Sequence, residues 1–241
     1  MDVSNATEGV QAGSLLLSVA EHLKVPLTTI ARQAELGQLT GQPDMTDAAA
    51  IRAQATAALT LVDSYLLGLE LASKQAGLQL EPVSVSSTVM DAAHELDNFA
   101  KYYQVQLEVE VGGKFGPVMG HPQGLRAALL SLGFALVEAQ ASQDIQGPRR
   151  LVMATHRTPL GIVTGVYGKY EALSARRWRN ALGLAGKARQ PIANLTPGNG
   201  AGLFVADTIL RSMDSRLRVG RYSRQSGLAA TFQPSHQLQF V

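Results

Sequence analysis

The chain has 241 residues, 46% of them hydrophobic and 17% charged, enough to bury a sizeable core in one large domain or two small ones. Its longest apolar runs, such as 15–20 and 57–62, fall far short of the roughly 20 residues that cross a bilayer, and no basic-then-apolar leader opens it, so no membrane partner is expected. The absence of cysteine excludes disulfides, cysteine nucleophiles and thiolate metal sites, and fits a cytoplasmic location.

A net charge of +2 hides a split: residues 1–146 hold 7 Lys/Arg against 16 Asp/Glu, whereas residues 147–241 hold 14 against 3. The basic part calls for an acidic counterpart, and the nearest one is the chain's own N-terminal part or that of a second copy. Nucleic acid is disfavoured, because the 13 aromatic residues are not interleaved with the basic ones as a stacking platform requires.

From about 6 to 36, Leu16, Val19, Leu23, Leu27, Ile30 and Ala34 recur at three- and four-residue steps and predict a bundle-forming helix. Two glycines and a proline between Gly37 and Asp44 break it, and Thr46 or Asp47 is expected to cap a second helix running to about Gln75. That helix carries the stripe Ile51, Ala55, Ala58, Val62, Tyr65, Leu69 and Ala72. The two helices predict an antiparallel hairpin of about 40 Å, at 1.5 Å per residue, whose seam is hidden in a four-helix bundle when two copies pair. A homodimer is therefore expected, with burial of the seam on the chain's own second domain as the alternative.

After Gly77 the texture changes. Strands are predicted over 78–83, 105–111, 151–154, 161–166, 217–222 and 228–233, with helices over about 87–103, 122–139 and 202–213. The segment 169–197 lacks strong periodicity and reads as a long loop. Its Arg176, Arg177, Arg179, Lys187 and Arg189 surround Trp178 as a solvated or docking surface, with a phosphate clamp as the alternative. Helices alternating with mostly antiparallel strands give an α+β sandwich. The domains are 1–76, the hairpin, and 77–241, the sandwich.

No catalytic arrangement stands out on spacing alone: the histidines at 22, 94, 121, 156 and 236 lack metal-ligand spacing, and no serine sits in a nucleophile elbow. Four strings do stand out together: Ala20-Glu-His-Leu-Lys-Val-Pro-Leu-Thr28, the run through Ser131 and Ala135, Gly161-Ile-Val-Thr-Gly-Val-Tyr-Gly-Lys-Tyr170, and Gly198-Asn-Gly-Ala-Gly-Leu203 ahead of a helix. In this order, and followed by a closing hairpin from Leu217 to Pro234, they resemble the core of bacterial sensor histidine kinases, a dimerisation hairpin followed by an ATP-binding domain of the GHKL type. The likeness covers nearly the whole chain.

The resemblance also marks what has changed. Pro26 sets the register of the first string, so Glu21 stands where the family's phospho-accepting histidine belongs. His22 stands one residue later, rotated by about 100° on a helix. A carboxylate in that place removes the imidazole nucleophile. Ser131 and Ala135 stand where the family has asparagines that hold magnesium and phosphates, which argues against magnesium, so no metal site is expected. Val166 replaces the aspartate that reads adenine, Gly168 is retained, and Tyr170 replaces the last glycine of that turn.

The glycine-rich box is nearly intact. The resemblance gives Gly198, Asn199, Gly200, Ala201, Gly202 and Leu203, with Gly168, as contacts for ATP or ADP, since a glycine backbone and a helix N-terminus suit phosphate. The expectation is a catalytically degenerate, pseudokinase-like dimeric adaptor or regulator in two-component signalling, with a receiver domain or a histidine kinase as partner. Two alternatives are a phosphotransferase that uses His22 and a switch that binds nucleotide without hydrolysing it.

Overall fold

The computed structural model describes residues 23, 26–30, 32, 45–73, 79–143, 147–170, 173–184 and 200–235. Glu21, His22, Gly198 and Asn199, and the turn between the two predicted N-terminal helices, lie outside the described residues. Leu23, residues 26–30 and Arg32 are helical, in agreement with the first predicted helix.

The second helix, α1, spans Met45–Ser73. It is already in place at Met45, so Thr46 and Asp47 fall in its first turn and not ahead of it as a cap. Its buried seam runs through Ala50, Gln54, Ala57, Leu61, Ser64, Gly68 and Leu71, each one position before a residue of the predicted stripe, of which Ala58 and Tyr65 are buried as well. One residue is about 100° of rotation. That seam packs on the chain's own α/β body: a Cβ on Gly68 would lie 3.2 Å from Ile209, and one on Gly124 3.2 Å from Leu71. The alternative of burial within the chain therefore applies to this face.

The body begins with β1 (Glu81–Val83) and α2 (Val85–Tyr102). Ser84 caps α2 by accepting the Ser87 N–H at 3.3 Å. Val85, Val89, Ala92, Ala93, Leu96, Phe99 and Ala100 then recur at helical spacing and are buried. Next come β2 (Val105–Val111), β3 (Val118–Gly120) and α3 (Pro122–Ala141). Pro122 opens α3 behind His121, whose Nδ1 accepts the Gly124 N–H at 3.1 Å, so this histidine is a cap. Among the described residues α3 is the one helix long and apolar enough to cross a membrane; 89% of its apolar window is buried inside the fold.

The chain continues with β4 (Arg149–Thr158), β5 (Gly161–Gly168), α4 (Ala175–Leu184), α5 (Ala201–Ser212), β6 (Arg218–Tyr222) and β7 (Gln225–Phe232). The sheet order is β2-β4-β5-β7-β6, with β2 parallel to β4 and the other pairs antiparallel; β1 and β3 form a separate antiparallel pair. α2, α3 and α5 form the helical layer over this sheet, and α1 lies on that layer. α4 corrects the long-loop expectation. Trp178 and Ala181, three residues apart, are buried and give the segment an apolar face that the arginines around them masked.

Candidate functional site

The residues singled out in three separate strings meet on α3. Ser131 and Ala135 face the start of α5, where Gly200 takes a φ of 71° and leads into Ala201, Gly202 and Leu203, all buried. The contact is direct: a Cβ on Gly202 would lie 2.7 Å from the Ser131 carbonyl oxygen and 3.2 Å from the Ala135 methyl. Glycine here allows two helices to touch.

At the end of β5, Val166 is fully buried. Tyr170, 3% exposed, donates its hydroxyl to the Leu136 carbonyl at 2.7 Å, and burial pushes that phenol well above its usual pKa. Gly168 is pressed between the Tyr170 ring and Gln140, whose amide is buried with neither of its polar atoms hydrogen-bonded. The Tyr170 ring thus fills part of the space between β5 and α3 and is tied there by its own hydrogen bond.

Between α1 and this surface a cavity of about 20 Å³ remains, lined by Pro26, Ala57 and Leu61 on one side and by Ser131, Glu138 and Gly202 on the other. It has room for about one water, against the roughly 300–1,000 Å³ of ordinary ligand pockets. Ser131 Oγ is buried without a hydrogen-bond partner. Gly202 thus packs on α3 at Ser131 and Ala135, and Gly168 lies against Gln140 further along the same helix.

A polar cluster at the same interface was not singled out from sequence. Gln54, 2% exposed in the α1 seam, donates its amide N–H to the Tyr103 hydroxyl at 2.7 Å. Burial pushes the Tyr103 phenol up to about 12, helped by the negative Glu138 and opposed by the bond from Gln54. Burial alone pushes the Glu138 carboxyl up to about 7. The signal was legible, since Glu138 is the one acidic residue in the apolar run 122–141.

A second tie holds the far side of the body. Trp178 donates its indole N–H to the Leu217 carbonyl at 3.0 Å, and Asp207 accepts the Leu217 N–H at 3.1 Å and the Arg211 Nε–H at 2.7 Å. The peptide groups on both sides of Leu217 are thus fixed just before β6. An ion pair joins the acidic and basic parts of the chain where Arg150 on β4 meets Glu108 on β2.

No protein-family model and no curated protein matches the chain by sequence. Solved structures do match by shape. The Acinetobacter baumannii histidine kinase AdeS aligns over 88% of this chain and 97% of its own with a TM-score of 0.54 at 14% identity. Full-length ShkA in complex with AMPPNP aligns over 78% of this chain with a TM-score of 0.54 at 16% identity, and the match spans 38% of ShkA. A bacterial phosphotransferase aligns over 92% of this chain and 96% of its own with a TM-score of 0.48 at 15% identity.

Proposed function

On a chain with the fold of a sensor histidine kinase core, a helical hairpin followed by a GHKL-type domain, we propose a catalytically degenerate protein that acts by binding, as a dimeric adaptor or regulator in two-component signalling. The division lies at about residues 76 and 77. The observation that carries the reading is the contact of Gly202 with Ser131 and Ala135. At the positions the resemblance gives to phosphate and magnesium contacts, Gly202 packs on α3, and Tyr170, in place of the last glycine of the adenine-reading turn, is bonded to the Leu136 carbonyl. Ser131 and Ala135 in place of carboxamides, packed under Gly202, favour a scaffold over a magnesium-dependent phosphoryl-transfer enzyme.

Pairing of two copies is supported by a second stripe on α1. Ala55, Leu59, Val62, Leu66 and Leu69 follow one another at four- and three-residue steps, about 150° round the helix from the buried seam. Leu59 is 65% exposed and Leu66 57%, as is Leu27 on the preceding helix. An apolar row at coiled-coil spacing is suited to a like row on a second copy, which completes a four-helix bundle. Light scattering on the full chain is expected to give a dimer, and Leu59→Glu with Leu66→Glu a folded monomer; a wild-type monomer at micromolar concentration would sink the bundle.

The binding role has its own test. The chain is incubated with a phosphorylated receiver domain, and separately titrated with a fluorescent ATP analogue with and without magnesium. Neither label transfer nor saturable nucleotide binding at millimolar concentration is expected. Label on His22 that disappears in His22→Ala would replace the adaptor by a phosphotransferase, and saturable nucleotide binding would replace it by a switch.

A further inference from the structure

We propose that the docking of α1 on the α/β body is a latch worked by a proton, closed while the Glu138 carboxyl in the seam is neutral and loosened when it ionises. The grip of the seam is weak by composition. Among the described side chains of α1, the large apolar ones that are buried are Leu61, Tyr65 and Leu71; the other buried positions, Ala50, Gln54, Ala57, Ala58, Ser64 and Gly68, are small or polar. Small side chains bury little apolar area, and the stabilisation scales with that area. The leucines that would grip harder, Leu59 and Leu66, are exposed. An element held by little apolar contact opens locally while the rest of a fold stays closed.

The bonds across the seam are ones that water can replace. Gln54 donates its amide N–H to the Tyr103 hydroxyl at 2.7 Å, and both groups find water when α1 lifts. In the same seam Ala57 and Leu61 of α1 close a cavity of about 20 Å³ over Ser131 and Glu138 of α3. Part of the burial of Glu138 is thus α1 itself, and burial pushes its carboxyl up to about 7. With α1 lifted, water reaches the carboxyl and its pKa falls back towards 4.5. The closed state binds the proton more tightly, so closing is favoured at acid pH and loses that support as the pH rises through about 7.

Among the described residues the other groups of the seam hold their charge state over this range. The phenols of Tyr103 on α2, which feels the charge of Glu138, and of Tyr65 on α1 are pushed up by burial, to about 12 for Tyr103, and stay neutral. α1 turns Gln54, Ala57 and Leu61 to the body, whereas its Arg52, Asp63 and Glu70 are exposed. Pro26 of the preceding helix and Gly202 of α5 complete the cavity wall and carry no charge. The latch works within one copy, because the seam is separate from the row of Leu59 and Leu66, and it does not rest on the pairing of two copies.

The chain has no cysteine, so a single introduced thiol reports opening. Ser64→Cys places one in the seam and Ala230→Cys one on β7 in the body, at positions 2% and 3% exposed. Thiol labelling of the full chain is timed at about pH 5.5 and about pH 8.5 and divided by the rate for the same variant unfolded in urea at that pH, which cancels the ionisation of the thiol itself. At the higher pH the seam thiol is expected to label at least about tenfold faster than the body thiol. Its ratio is expected to rise at least about fivefold between the two pH values, and less than about twofold once Glu138→Gln is added. Ala57→Cys supplies a second seam position if Ser64→Cys folds poorly. Equal ratios in seam and body would mean that α1 leaves only when the whole chain unfolds, and an undiminished rise with Glu138→Gln would assign it to another group; either overturns the proposal. Leu59→Glu with Leu66→Glu, which removes the pairing surface and leaves the seam, is expected to keep the same pH response, and loss of that response would overturn a latch within one copy.

Discussion

Gly202 stands against Ser131 so closely that a Cβ at position 202 would lie 2.7 Å from the Ser131 carbonyl oxygen. The atom it meets is backbone, on a helix whose buried face is packed along its length, so it has little freedom to move aside. Gly202→Ala is therefore expected to cost about 1–3 kcal/mol, lowering the melting temperature by about 2–4 °C for each kcal/mol. Thermal unfolding of the full chain measures it. An unchanged melting temperature would mean that α3 and α5 do not touch there, and the scaffold reading would lose its main support.

The Gln54 to Tyr103 bond joins α1 to the body in a region from which water is largely excluded. Tyr103→Phe leaves the buried Gln54 amide without its acceptor and is expected to cost about 1–3 kcal/mol in urea unfolding. Replacing both partners, Gln54→Met with Tyr103→Phe, removes the stranded polar group and is expected to recover part of that loss. If the double variant is less stable than Tyr103→Phe alone, the bond is not what holds the helix in place.

Glu138 makes this interface sensitive to pH. Its carboxyl titrates at about 7 when folded, against 4.5 for an ordinary glutamate, because burial disfavours the charge. The folded state therefore binds the proton more tightly than the unfolded state. Stability from this group is present below about pH 4.5, falls as the pH rises to about 7, and is level above that. The shift corresponds to at most about 3 kcal/mol, since the side chain keeps some contact with solvent. Glu138→Gln is expected to remove this slope and to be more stable than the wild type above neutral pH. Denaturant midpoints between acid and mildly basic pH decide it, and parallel curves for the two proteins would assign the slope to other groups.

The sequence by itself determined the order of most elements, β3 and α4 excepted, because periodicity, caps and turns are local. β2 over Val105–Val111 and the start of α3 at Pro122 match their predicted places, and α5 begins within a residue of its own. The substitutions that set the chain apart, Glu21, Ser131, Ala135, Val166 and Tyr170, are also plain in the sequence. Tertiary structure decided which face of each helix meets what. α1 carries two stripes about 150° apart, and periodicity cannot choose between them: the body took the one through Ala57 and Leu61 and left Leu59 and Leu66 outside. The packing of Gly202 on α3 was equally hidden, since a glycine that admits a phosphate and a glycine that admits a neighbouring helix are the same residue. Only the distance from Gly202 to Ser131 separates them, because it measures space between segments about 70 residues apart in the chain.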